Sequence, residues 1–105
     1  MKTIQEIRND LKEIRTYYLF KNRIAKGMEM VGDNAVVQLL DKYNTAIRSA
    51  RANLYTVYIC IYVNGLSHED AACELNYSTQ HVERLVKQML VFFQKAFEGG
   101  VRNAG

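Results

Sequence analysis

The sequence predicts an all-α fold, and three features of the 105-residue chain support this prediction. It has no proline, and long stretches consist of Leu, Ile, Ala, Met, Lys, Arg, Glu and Gln, which favour helices. Apolar residues recur at intervals of three and four over most of its length. We therefore expect an N-terminal helical hairpin over residues 1–50, a three-helix helix-turn-helix domain over 51–98 and a disordered tail over 99–105.

The first helix is expected to begin after Thr3, which can cap it, with Glu6 completing a capping box. One apolar stripe follows, made of Ile4, Ile7, Leu11, Ile14 and Tyr18. A second stripe, rotated from the first, continues to Met28, so this helix is either long or broken near Asn22.

A turn at Gly32 and Asp33 is expected to separate the first helix from a second amphipathic helix, which runs from Asn34 to about Arg48. The short connection favours an antiparallel hairpin. The apolar stripe of this hairpin can pack on the rest of the chain, or it can pair with a second copy and so form a homodimer.

The segment that starts at Arg51 is apolar on nearly every face, which predicts a central helix. Asn53 is the expected cap, and Asn64-Gly65 supplies the left-handed residue that ends the helix. Three tyrosines lie in it at helical spacing, and we interpret them as core residues rather than as a surface on which bases stack: Tyr55, Tyr58 and Tyr62.

The most specific pattern lies in residues 67–87 and has the layout of a DNA-reading helix-turn-helix. Ser67 can cap a short helix that ends at Leu75, and Asn76 tolerates the positive φ of a tight turn. Ser78 can then cap a second helix that starts at Thr79. The residues expected to face inward, where the two helices cross, are Ala72, Leu75, Tyr77, Val82 and Leu85.

In such a motif, the N-terminal residues of the second helix contact base edges in the major groove of double-stranded DNA. The candidates for base contact are Thr79, Gln80, Glu83 and Arg84. Gln can form two hydrogen bonds with adenine, Arg two with guanine, and Glu can accept one from cytosine. His81 is interpreted mainly as a solvated residue at the helix start, although it is also within reach of a phosphate or a base.

Charge is unevenly distributed, although the whole chain carries a formal net charge of +3. Residues 67–98 hold three basic and five acidic residues, which gives this segment a net charge of −2. Phosphate contacts supply much of the affinity for DNA, so some cations must come from outside the motif. The expected phosphate-binding residues are Ser78, Lys87, Arg48 and Arg51.

The run KYNTAIRSARANLYTVYICIYVNGLSHEDAACELNYSTQHVERLVKQMLVFFQKAF, from Lys42 to Phe97, resembles the C-terminal half of the ArpU/RinA-type phage transcriptional regulators. The supporting patterns are LYxxYxxxYVxG, which begins at Leu54, and LNYSxxxVxRL, which begins at Leu75. The helix-turn-helix of that family is similar to region four of bacterial sigma factors. The resemblance implies a phage or prophage regulator of Gram-positive bacteria that binds promoter DNA, with RNA polymerase as a candidate partner.

The alternative is a helical protein-interaction module that contacts RNA polymerase or another protein without binding DNA, since this layout also occurs in protein-binding modules. The negative charge of residues 67–98 would then favour a basic partner. An enzyme is disfavoured, because the sequence has no Gly-rich phosphate loop, no metal-ligand spacing and no nucleophile beside a base. We therefore expect no cofactor and no metal.

A cytoplasmic location is expected. The longest mostly apolar run, residues 54–63, is about half of the roughly 20 residues that span a bilayer. The N-terminus has charges throughout and lacks the apolar core of a secretory signal. Cys60 and Cys73 lie in apolar stretches without zinc spacing, and we expect both to be free, buried thiols.

Overall fold

A computed structural model of the chain describes residues 2–24 and 34–103, with the side chains of residues 2–21 and 35–98. Over these residues the fold is all-α, as predicted. The helices are α1 (Ile4–Ile24), α2 (Asn34–Ile47), α3 (Ala52–Tyr58), which continues as a π-helical stretch (Ile59–Val63), α4 (His68–Leu75) and α5 (Thr79–Asn103). None of the helices in the described part of the chain is both long and apolar enough to cross a membrane.

The N-terminus of α1 has the predicted capping box. The Thr3 hydroxyl accepts a hydrogen bond from the Glu6 N–H at 3.1 Å, and the Glu6 carboxylate accepts one from the Thr3 N–H at 2.8 Å. The bond from the Thr3 N–H lowers the pKa of Glu6. The helix then runs without interruption to Ile24, so it is long rather than broken near Asn22. The turn predicted at Gly32 lies outside the described residues.

The start of α3 differs from the prediction that Asn53 caps it. Arg51 is the capping residue, and its carbonyl accepts hydrogen bonds from the N–H groups of Leu54 and Tyr55 at 3.0 and 3.1 Å. The first turn therefore closes by backbone bonds alone, and Asn53 falls inside the helix. Its side-chain oxygen is buried and has no hydrogen-bond partner among the described residues.

Hydrogen bonds from α1 stabilise the connection between α3 and α4, which we call the joint. The chain leaves the π-helical stretch through Gly65, whose φ of 76° is the left-handed value predicted for this position. Arg15 of α1 donates hydrogen bonds to the carbonyls of Ile61 at 3.2 Å and Gly65 at 2.8 Å. A π-helical turn disrupts the regular pattern of backbone bonds, and Arg15 supplies donors at this point.

One hydrophobic core is shared by the segments predicted as the N-terminal hairpin and the helix-turn-helix domain. Tyr43 of α2 is fully buried, and its ring contacts Phe93 and Phe97 of α5 edge-on, with centroids 4.8 and 4.9 Å apart. Its hydroxyl donates a 2.7 Å hydrogen bond to Asp10 of α1, which also forms an ion pair with Lys2. The described part of α5 is thus packed against both halves of the chain.

Two residues predicted to be buried lie at the surface instead. Tyr55 is 42% exposed, because α3 buries only the face that carries Leu54, Val57 and Tyr58. Cys73 is exposed, whereas Cys60 is a free, buried thiol as predicted. Helix α4 buries its two adjacent alanines, and Cys73 follows them on the outer side.

The C-terminal part of α5 continues beyond the predicted end at residue 98. Its backbone is helical as far as Asn103, where the sequence predicts a disordered tail. No proline stops the helix there, and adding residues to an existing helix costs little because the unfavourable step is nucleation.

Candidate nucleic-acid interface

The turn between α4 and α5 has the conformation expected for Asn76. This residue adopts φ 63° and ψ 38°, the left-handed region, directly after the last residue of α4. The N–H of Tyr77 donates to the carbonyl of Ala72 at 2.8 Å, and the N–H of Asn76 donates to that of Cys73 at 3.3 Å. These two bonds form a Schellman motif, which ends a helix within one residue and so permits a short connection.

Both predicted serine caps are present. The hydroxyl of Ser67 accepts a 3.0 Å hydrogen bond from the N–H of Asp70 at the start of α4. The hydroxyl of Ser78 accepts a 3.1 Å bond from the N–H of His81 at the start of α5. Such caps fix where each helix begins, and they therefore set which residues of α5 face outward.

The inward face of the α4–turn–α5 unit is tightly packed. Ala71 and Ala72 of α4 are buried, and small side chains at this position allow the two helices to approach closely. Val82 and Leu85 of α5 are also buried, as predicted, and Leu75 is partly buried. These contacts anchor the first two turns of α5 and hold its opposite side toward solvent.

Five residues on the outer side of α5 form what we call the polar face: Gln80, Glu83, Arg84, Lys87 and Gln88. All five side chains are exposed. Ser78 is also exposed, whereas Thr79 and His81 are partly buried. Sequence reasoning missed Gln88, although its position four residues after Arg84 and eight after Gln80 places it on the same side of the helix.

Tyr77, like Tyr55 and Cys73, is a residue for which the prediction of an inward position is wrong. Its side chain is 38% exposed, and its ring lies edge-on against the His81 imidazole, with centroids 4.6 Å apart. The Schellman motif uses the Tyr77 N–H and leaves the ring outside the α4–α5 contact. An aromatic pair of exposed Tyr77 and partly buried His81 therefore stands at the beginning of α5, beside the polar face.

The two upstream arginines lie in different places. Arg51 donates a 2.7 Å hydrogen bond from Nη2 to the side-chain oxygen of Gln88, so the fold brings it to the polar face. Arg48 is exposed and lines a hollow together with Tyr55. No hydrogen bond or ion pair in the described part of the chain links Arg48 to α5.

The polar face, counted together with Arg51, holds three cations and one acidic residue, although residues 67–98 are net negative. Arg84 and Lys87, together with Arg51 bonded to Gln88, face only one acidic residue of this surface, Glu83. Lys2 with Asp10 is the ion pair found among the described residues, so the three cations of this surface are not neutralised by a carboxylate contact. Their charge is available to an anion in solution.

Within the residues whose side chains are described, no group of three or more His, Cys, Asp or Glu residues is placed to hold a metal ion. What the surface offers is a set of hydrogen-bond donors and acceptors on one side of a firmly anchored helix, with cations beside them.

Comparison of the chain with protein-family models, with curated proteins and with solved structures found no match. The structure by itself defines the fold class: this is an all-α protein in which a short capped helix and a long helix are joined by a turn with a left-handed residue.

Proposed function

We propose that this chain is a DNA-binding regulator of transcription whose α4–turn–α5 unit is a helix-turn-helix. The observation that carries the proposal is the division of α5 into two sides. Val82 and Leu85 anchor its first turns in the core, while the polar face stays exposed and carries uncompensated positive charge. This is the arrangement that a recognition helix requires.

The dimensions of α5 suit the major groove. An α-helix with its side chains is about 10–12 Å in diameter and the major groove of B-DNA is about 12 Å wide, so a helix fits between the two backbones. Residues 79–88 extend over about 14 Å at 1.5 Å per residue. The first three turns of α5 therefore suffice to place the polar face against several base pairs, and the rest of the helix can remain in the protein core.

The exposed side chains have functional groups that distinguish bases. Gln80 can form two hydrogen bonds with adenine, Arg84 can form two with guanine, and Glu83 can accept from the amino group of cytosine. Lys87 and Arg51 would contact phosphates, since Lys87 lies farther from the N-terminus of α5 and Arg51 is the capping residue of α3. Arg48 is a weaker candidate for phosphate contact, because no hydrogen bond or ion pair among the described residues links it to α5.

The test is the selection of bound duplexes from a random pool, followed by fluorescence anisotropy with the selected sequence. Arg84→Ala should lower affinity about tenfold and relax base preference at one position, because a two-bond contact with guanine contributes about 1–3 kcal/mol. Lys95→Ala is the matched control: Lys95 is an exposed cation of the same helix beyond the polar face. Its loss should leave base preference unchanged.

Two outcomes count against the proposal. If the wild-type chain selects no duplex and gives no change in anisotropy at low salt, it does not bind DNA. If Arg84→Ala and Lys95→Ala weaken binding equally and change no base preference, the contact is general electrostatic attraction and α5 does not read sequence. The selected sequence also reports oligomeric state, since a homodimer would select two symmetric half-sites.

A phage or prophage role in promoter control is the particular form of this proposal. It rests on the resemblance of residues 42–97 to ArpU/RinA-type regulators. In vitro transcription with purified bacterial RNA polymerase tests this role, with the selected duplex placed upstream of a reporter. A change in the amount of transcript that requires both the selected site and Arg84 would support the role.

The second candidate function is protein interaction without DNA binding, and the net charge of −2 over residues 67–98 favours it. The two candidate functions can be distinguished by passing purified, nuclease-treated RNA polymerase over the immobilised chain. If the immobilised chain retains the polymerase and the chain in solution binds no duplex, this candidate is favoured.

A further inference from the structure

We propose that Gln88 is a positioning residue that holds the guanidinium of Arg51 in place for one phosphate of the DNA backbone. The inference rests on the proposed function. It assigns a role to a side chain that carries no charge and need not contact a base, and it makes α3 and α5 joint contributors to one phosphate site.

The geometry fixes Arg51 at both ends. Its backbone caps α3, and its carbonyl accepts hydrogen bonds from the N–H groups of Leu54 and Tyr55. At the other end of the side chain, Nη2 donates to the Gln88 oxygen at 2.7 Å, across 37 positions of sequence. An exposed arginine ordinarily samples many rotamers, so holding its tip before DNA arrives removes part of the entropy cost of binding.

The chemistry of the partner explains why glutamine suits this role. A guanidinium has five N–H donors, and the Gln88 oxygen occupies only one direction of its planar fork. The amide is neutral, so the positive charge remains available to a phosphate. A carboxylate in the same position would hold Arg51 more strongly but would also compete with the phosphate for it. Arg51 has no such carboxylate partner among the described residues.

The location fits a phosphate rather than a base. Gln88 lies one turn beyond Arg84 and next to Lys87, at the end of the polar face farther from the N-terminus of α5. Arg51, the capping residue of α3, reaches this point from outside α5. When the N-terminal turns of a recognition helix occupy the groove, cations that lie beside the helix meet the sugar–phosphate backbone at the groove edge.

The experiment uses the whole chain and a fluorescent duplex of the selected sequence, with affinity measured over a series of salt concentrations. Arg51→Ala should weaken binding to all sequences about tenfold and reduce the salt slope by about 0.9, the loss of one phosphate contact. Gln88→Ala should weaken binding about threefold and leave the slope unchanged, because the cation remains but is no longer held. The double variant should bind no more weakly than Arg51→Ala alone.

Gln88→Glu gives an independent test. The new carboxylate should pair with Arg51, so binding should fall by more than in Gln88→Ala and the salt slope should decrease. Gln38→Glu is the matched control, because Gln38 is an exposed glutamine of α2 and the change in net charge is identical. Arg51 and Gln88 are both exposed, so the variants should keep the wild-type melting temperature, which circular dichroism verifies.

Three results would overturn the inference while wild-type binding persists. One is that Gln88→Ala binds the duplex with the same affinity as the wild type. Another is a double variant whose loss is the product of the two single losses, since Gln88 would then contact DNA independently. The third is equal weakening by Gln88→Glu and Gln38→Glu, which would indicate a general charge effect. Failure of the wild-type chain to bind any duplex would refute the proposed function itself.

Discussion

Replacing Gly65 by alanine should destabilise the protein at the joint that precedes α4. Gly65 has a positive φ of 76°, and its backbone lies directly against the side chain of Leu19 in α1. A Cβ at this position would overlap the Cδ2 atom of Leu19 and stand 3.1 Å from its Cγ atom. The substitution therefore tests the backbone conformation and the α1 contact together.

The expected cost has two parts. The left-handed conformation costs an L-residue about 1–2 kcal/mol. Forcing a methyl group into an occupied space typically costs about 1–3 kcal/mol more, because neighbouring side chains must leave their preferred rotamers. The total of about 2–5 kcal/mol is a large part of the 5–15 kcal/mol by which a small domain is typically stable.

Urea unfolding followed by circular dichroism measures this cost in two backgrounds. In the wild-type background, Gly65→Ala should lower the free energy of unfolding by the full amount. In a Leu19→Ala background, where the overlapping atoms are absent, the same change should cost only the conformational part, about 1–2 kcal/mol. An equal cost in both backgrounds would show that Leu19 does not pack on Gly65, and no cost in either would refute the left-handed conformation.

Three further predictions concern the cap, a buried tyrosine and the thiols. Ser78→Ala should lower the free energy of unfolding by about 1 kcal/mol in urea titration, because α5 loses its N-cap bond; an unchanged midpoint would contradict this. Burial, followed by the hydrogen bond to Asp10, raises the pKa of Tyr43, so the folded state favours the neutral phenol. Stability should therefore be unaffected by this group below about pH 10 and should fall above it, and Tyr43→Phe should have a shallower alkaline decline in melting temperature. Cys73 should react with a thiol reagent in the folded protein, while Cys60, whose pKa is raised by burial, should react only in denaturant; two fast equivalents without denaturant would contradict the structure.

The features that could be predicted from sequence are those determined by neighbours within a few positions. The caps at Thr3, Ser67 and Ser78 depend on a hydroxyl and an N–H three residues later, and all three are present. The left-handed residues at Gly65 and Asn76 follow from the conformational tolerance of glycine and asparagine. Such local chemistry also determined where α4 ends and α5 begins, and hence which candidate residues lie on the polar face.

One local prediction failed, since the carbonyl of Arg51 and not the side chain of Asn53 closes the first turn of α3. The other features that could not be predicted depend on which helices meet. Tyr55 and Tyr77 are apolar enough to suggest burial, but the neighbouring helices cover other faces, so both rings are exposed. The bonds from Arg15 to the joint and from Arg51 to Gln88 join residues far apart in sequence, and no local pattern indicates them. Sequence identified Arg51 as a candidate by its charge and its place just upstream of the motif, and the fold brings it to Gln88.

Under the proposed function, helix α5 both binds the target and stabilises the fold, and it does so with different sides. Its buried side chains, among them Met89 and Phe93, belong to the core, and the helix packs against α1, α2, α3 and α4, whereas Gln80 and Arg84 are exposed. Exchanging outward residues should cost no more than about 0.5 kcal/mol. If α5 reads bases as proposed, a new base preference therefore needs only exposed substitutions and no compensating change in the core.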